Sequence, residues 1–192
     1  MPDPETDDCH QVLLVLDVQV NMLRDPPAGI PAAAVVGPNI ASILARARDA
    51  APPPRIVHIR NCGDAGEPDE TGSEGWELVH LPRSGEFVID KRKNNAFAGT
   101  TLADVIPPTA EIIMVGMQSD FCIRATCSAA LARGNEVLLV RGAHATYDRI
   151  EYHQHGLITT AAEVQKEIEG ELEEAGVIML DMKDLSGMFS DR

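Results

Sequence analysis

The stretch VGMQSDFCIRATCSAALARG, residues 115–134, holds two periodicities in one run. Its opening residues close an apolar run that begins at EIIMV and ends near Gly116, as a strand does. From Phe121 to Arg133 the residues Phe121, Ala125, Ser128, Ala129 and Ala132 recur at spacings of three and four, and Gly134 is placed to cap a helix. A strand that hands over to a helix within a few residues is half of a βα unit. A cysteine, Cys122, stands at the junction. In the first turn of a helix a thiolate is favoured by the N-terminal dipole and the unpaired N–H groups, so a thiol there is expected to have a lowered pKa and to be nucleophilic near neutral pH. The same N–H groups can receive an oxyanion.

The βα pattern repeats on both sides of this unit. An apolar run from Val12 to Leu16 stops at Asp17. RIVHIR follows the breaker Pro52-Pro53-Pro54, with a helix predicted over roughly Asn39 to Asp49 between the two. A stretch rich in Gly, Glu and Asp, Asn61 to Gly85, leads to FVID, a weak helix near Thr101 to Val105 and then EIIMVGM. After the central helix come EVLLV (136–140), a helical zone over roughly Arg149 to Ala175 with Gly170 interrupting it, and GVIML (176–180). Six apolar strands joined by helix-length connections predict one αβα domain over residues 1–192, three-layered and Rossmann-like, on a six-stranded mainly parallel sheet. In such sheets ligands bind outside the carboxyl ends of the strands where the strand order reverses. Asp17 and Cys122 are the two residues at such ends.

Composition narrows the function. Sixteen basic against thirty acidic residues leave a formal charge of −14, with KRK at 91–93 the one short basic cluster, so nucleic acid and anionic membrane surfaces are poor partners. No apolar run approaches the roughly 18 residues of a membrane span, and the start MPDPETDDCH has no signal-peptide order; a cytoplasmic protein is expected, with residues 1–10 a mobile tail. Cys9, Cys62, Cys122 and Cys127 form no CxxC pair and read as reduced thiols. If Cys122 and Cys127 share a helix, about 7.5 Å of axial rise forbids a disulfide between them.

Lys91, just after FVID, supplies a cation to set beside Asp17 and Cys122. Taken singly, Asp17 reads as a turn former, Lys91 as a solvated charge and Cys122 as a small buried hydrophobe. Taken together they are the acid/base, cation and nucleophile of thiol-dependent acyl transfer. No histidine stands at a comparable position. His144, with His153 and His155 in EYHQH, offers a weak metal pattern that an exposed helical face also explains.

In order along the chain, DVQ after the first strand, G.EGWEL (72–78), K.....AF.GT.L (91–102) and VGMQSDFC...T...A...G resemble the isochorismatase-like cysteine hydrolases, a family that includes nicotinamidases and carbamoyl-amide hydrolases. The resemblance runs from about Leu13 to Asp148. It implies a triad of Asp17, Lys91 and Cys122, a cis peptide at Met117–Gln118, and an oxyanion held by the backbone N–H groups of Gln118 and Cys122. It also implies a small amide-type substrate, no cofactor and a homo-oligomer. Gln19, Met22, Trp76, Phe97 and Phe121 are the candidate substrate-lining residues, with Trp76 as readily a pin for its loop. Nicotinamidases carry an Asp-x-His metal segment after the second strand; HIRNCGDAGEPDETG offers only His58, with His80 distant, so no metal is expected. Isochorismatase chemistry itself is not expected, because the vinyl-ether hydrolases of the family lack the cysteine retained here. Two other readings stand beside the hydrolase: a scaffold that keeps the fold without turnover, and a redox-sensing thiol, which the absence of a nearby resolving cysteine disfavours.

Overall fold

The computed structural model describes residues 9–154 and 156–190. Strands β1 (Gln11–Leu16), β2 (Arg55–Asn61) and β3 (Phe87–Lys91) form one half of a sheet. Strands β4 (Glu111–Met117), β5 (Glu136–Ala145) and β8 (Ile178–Leu180) form the other, in the order β3-β2-β1-β4-β5-β8. Every pairing in this sheet is parallel. The order reverses between β1 and β4, which lie side by side in register from Gln11↔Glu111 to Leu16↔Gly116.

Alternation along the strands divides the core into two layers. Val12, Leu14 and Leu16 face one side with Ile112 and Met114, against helices α2 (Leu102–Val105), α3 (Arg124–Arg133) and α4 (Ala161–Ala175). Leu13 and Val15 face the other with Ile113 and Val115, against α1 (Ala33–Arg48) and the C-terminal Met188 and Phe189. Removing each such side chain from water contributes about 1.5–3 kcal/mol before chain entropy is counted. This is the expected αβα arrangement, and all six expected strands belong to the sheet.

Three local expectations are corrected. Helix α1 begins at Ala33 and runs through Pro38, because Val36, Ile40, Ile43, Leu44 and Ala47 make one buried face that spans the proline. The zone 149–175 is not helical throughout: Arg149–Glu151 (β6) and Leu157–Thr159 (β7) pair antiparallel as a hairpin, and only then does α4 start. Its start is marked by a capping box, Thr160 receiving the Glu163 N–H while the Glu163 carboxylate accepts from the Thr160 N–H. Gly170 lies inside α4 without interrupting it. Residues 1–8 of the acidic start and His155 lie outside the described residues.

Candidate active site

Strand β1 ends at Leu16, and Asp17 turns the chain with φ +50, its N–H donating to the Ile59 carbonyl of β2 at 2.9 Å. Next to it, β4 passes so close that a Cβ on Gly116 would stand 1.9 Å from the Leu16 carbonyl oxygen, and Gly116 has φ +126. Glycine alone fits both requirements there. The chain then takes a cis peptide at Met117–Gln118 and enters a wide π-type turn, Ser119–Ile123, whose Ile123 N–H reaches back to the Gln118 carbonyl at 3.1 Å. Regular α3 begins only at Arg124, so Cys122 sits in this turn rather than in the first turn of an α-helix.

Lys91 closes the site from two strands away. Neighbouring strands lie about 4.8 Å apart, so β3 and β1 are separated by roughly 10 Å, and the long lysine stem spans β2 to reach the middle of the sheet. Its Nζ lies 2.8 Å from Asp17 Oδ2, 3.1 Å from Asn61 Oδ1 and 3.2 Å from Cys122 Sγ. Lys91 is 2% exposed and Asp17 1%, so both charges are held almost out of water. The second carboxylate oxygen, Asp17 Oδ1, is buried without a hydrogen-bond partner, and the carboxylate stands close enough to the Cys122 thiol for each group to shift the other. On the other side Cys122 Sγ is 3.8 Å from Asn94 Oδ1.

These contacts set the proton inventory. Burial pushes the Cys122 thiol up to about 12, the Asp17 charge pushes the same way, and Lys91 opposes them. The lowered thiol pKa expected from a helix dipole is therefore corrected: desolvation and a neighbouring carboxylate outweigh it. Burial also raises Asp17 above the ordinary carboxylate range, against the pull of Lys91. For Lys91, burial acts downward, but the Asp17 and Cys122 charges prevail and hold it above the usual lysine value. The three groups form one buried, coupled set in which a charge on any one shifts the other two.

The remaining candidates fall around this centre. Gln19 is fully buried and its amide is spent within the protein: Nε2 donates to the Asn61 and Trp76 carbonyls at 3.0 and 2.9 Å, and Oε1 accepts from the Asn61 N–H at 2.9 Å. It therefore positions Asn61, which in turn receives Lys91. Trp76 pins its loop: its ring lies under the Arg60 guanidinium at 3.3 Å and its Nε1 donates to Cys62 Sγ at 3.3 Å. Phe97 packs against the α2–α3 core beneath Arg133, 4.6 Å from the guanidinium, and Met22 packs on the opposite layer near Tyr147. Phe121, beside the nucleophile, is half exposed. A cleft of about 270 Å³ opens next to Lys91, lined by Cys62, Asp90, Arg92, Lys93, Ala98 and Gly99.

Asn61 and Asn94 did not stand out in the sequence. Asn61 had a usable signal, since it ends β2 at the same edge of the sheet as Asp17; Asn94 had none beyond its place after KRK. Arg92, the neighbour of Lys91, is a surface residue bridged to Asp64 at 3.2 Å. His144 is buried on β5, whereas His153 is exposed in the hairpin connection, so the two do not converge. Among the described residues no group of three or more His, Cys, Asp or Glu side chains is placed to hold a metal ion.

A three-layer fold with this constellation at its switch point defines an isochorismatase-type domain. The chain belongs to the isochorismatase family, whose domain model matches residues 11–169. It is 38% identical over 143 residues to a streptothricin hydrolase of Streptomyces noursei, covering 72% of this chain and 55% of that one. The chain thus spans about half the length of the streptothricin hydrolases it matches. Among solved structures it is similar to an isochorismatase of Pseudomonas putida KT2440, at a TM-score of 0.83 and 24% identity over 92% of this chain and 90% of that one. It is also similar to a pyrazinamidase of Pyrococcus horikoshii in complex with zinc, at a TM-score of 0.72 and 19% identity over 90% and 99%. At these identities the structural likeness carries the fold alone.

Proposed function

We propose that the chain is a cysteine hydrolase that cleaves a small amide or related C–N bond through a thioester on Cys122, without a metal ion. The observation that carries the reading is the position of Lys91 Nζ, buried between Asp17 Oδ2 at 2.8 Å and Cys122 Sγ at 3.2 Å. A lysine has no structural reason to be buried there unless anions are made and held beside it.

In this mechanism Asp17, its basicity enhanced by burial, takes the proton of Cys122 as the sulfur attacks the substrate carbonyl. A thiol pushed up to about 12 is unreactive at rest but strongly nucleophilic once deprotonated. Lys91 offsets the negative charge as it moves between carboxylate and sulfur. The tetrahedral oxyanion is assigned to the backbone N–H groups of Gln118, just before the π-type turn, and of Cys122, within it. Asp17 then gives its proton to the leaving amine, and water cleaves the thioester with Asp17 again as base.

Metal independence is supported by the chemistry at the end of β2. Asn61 there spends its side chain on Lys91 and on Asp69, the latter at 2.6 Å, and Cys62 accepts from Trp76. The four free thiols, Cys9, Cys62, Cys122 and Cys127, support a reducing, cytoplasmic setting. The streptothricin hydrolase match makes streptothricin, alongside simple small amides, the first substrate to try. A panel of small amides, assayed by release of ammonia or amine with and without EDTA, tests the proposal. Turnover that persists in EDTA and disappears in Cys122→Ala is the expected result. An intact protein that releases no amine from any member, or that needs a metal to do so, would contradict it.

A further inference from the structure

A second buried polar chain lies behind the nucleophile turn, and the chemistry above makes no use of it. His144 on β5 and Thr146 just past its end alternate with Ala143 and Ala145, which face the α1 layer, so the two polar side chains face α3 and α4. There they meet consecutive residues of the turn. Ser119 Oγ and His144 Nδ1 are 2.9 Å apart, and Thr146 Oγ1 donates to Asp120 Oδ1 at 2.5 Å. Behind His144, its Nε2 stands 3.2 Å from Glu169 Oε1 of α4, off the line of a full hydrogen bond, and Glu169 is also held by Arg141 at 3.1 Å and Gln165 at 3.0 Å.

Ser119 and His144 are both 0% exposed. With Nε2 nearest a carboxylate, the neutral tautomer that suits both neighbours is the one in which Nδ1 accepts from the serine hydroxyl. The order Ser119, His144, Glu169 superficially matches a serine triad. A serine with no exposed surface has no substrate to attack, so it is not a second nucleophile. A hydrophobic trio of the same volume would pack here at lower desolvation cost. What the polar chain adds is direction, because hydrogen bonds fix a turn in one orientation where apolar contacts tolerate several.

We infer that His144 is a positioning residue: bridging Ser119 of the nucleophile turn to Glu169 of α4, it fixes the turn so that Cys122 Sγ meets Lys91 Nζ. The π-type turn carries two of the reacting groups assigned above, the thiol and the Cys122 N–H. It is bracketed by clamps at Ser119 and Asp120 on its entry side and by α3 on its exit side. The inference deepens the hydrolase reading and depends on it for its consequence in catalysis; the clamp itself is tested without any substrate.

The probe is iodoacetamide, with alkylation of Cys122 and Cys9 followed separately by peptide mass spectrometry at pH 8. Cys9, at the far end of β1, serves as internal control. Ser119→Ala removes the hydroxyl contact to His144 and Glu169→Gln removes the carboxylate charge behind it, each with almost no change of volume, so both should fold. Both are expected to slow alkylation of Cys122 by about 10-fold, since a small misplacement of a reacting group costs that order of rate, and to leave Cys9 unchanged. His144→Asn, whose amide can replace Nδ1 towards Ser119, should recover part of the rate lost in His144→Ala. Alkylation of Cys122 that is unchanged or faster in both mild variants, or a loss shared equally by Cys9, would overturn the inference. Either result stands apart from the amide panel, which can succeed or fail independently of the clamp.

Discussion

Two thiols five residues apart, Cys122 and Cys127, are alike by every bulk measure and differ only in what faces them. Cys122 is 9% exposed and Cys127 fully buried, and both are pushed up to about 12. For Cys127 burial is the sole cause, and its sulfur lies against Met114 Sδ at 3.3 Å within the core. For Cys122 burial leads, Asp17 adds to it and Lys91 opposes it. Burial makes a thiol inert; a nucleophile additionally needs a place for its proton and a cation for the charge left behind. In the proposed mechanism it is the partner set, rather than the thiol itself, that sets Cys122 apart.

The largest effect expected from this contrast is on turnover. Cys122→Ala should reduce amide hydrolysis by more than about 10³-fold with the fold retained. Cys127→Ala should leave the rate within a few-fold and instead lower stability by about 1 kcal/mol, through the small cavity beside Met114. Steady-state rates and urea unfolding of the two variants check both halves, and comparable rates in the two would erase the distinction.

Asp17→Asn separates activation of the thiol from its acidity. Because the Asp17 charge raises the thiol pKa, removing it should lower that pKa and quicken alkylation at pH 8. Hydrolysis should nevertheless fall by about 10²- to 10⁴-fold for want of a base. Parallel loss of both reactivities would mean that Asp17 acts through structure alone.

Lys91→Ala should do the reverse to the thiol. With its opposing charge gone, the thiol pKa rises further and alkylation at pH 8 slows by roughly 3- to 10-fold. Arg92→Ala and Lys93→Ala should match wild type, since exposed charges contribute little individually. Three indistinguishable pH profiles would return Lys91 to the status of its neighbours. The smallest effect is expected at Asn61→Ala, which removes one acceptor from Lys91 while Asp17 still holds it; a loss of about 10-fold or less in hydrolysis is anticipated.

Much of this contrast was legible in the chain. Continuous apolar runs ending at Asp17, at Lys91 and near Gly116 placed three strand ends, and the rule for open α/β sheets placed the site at two of them. What the sequence did not reveal was which way short-range signals would be overridden. The helix predicted from about Asn39 in fact starts at Ala33 and passes through Pro38, because five buried residues straddle the proline on one face. The zone from Arg149 reads as helical, yet three residues on each side of a short connection form a hairpin, and Thr160 with Glu163 mark the true helix start. The acidity of Cys122 was misjudged because a helix dipole can be anticipated from sequence position, whereas burial and the approach of Asp17 depend on the fold. His144 looked like a stray metal ligand until β5 brought it to Ser119, which lies 25 residues earlier.

The central claim is that Cys122 becomes covalently acylated during turnover. Acid quenching of wild-type enzyme with an amide it hydrolyses, followed by peptide mass spectrometry, measures this directly. The expected result is a mass increase equal to the acyl portion on the peptide bearing Cys122, absent in Cys122→Ala and lost on incubation at neutral pH. Sustained amine release with Cys122 unmodified in wild type and turnover preserved in Cys122→Ala would contradict it.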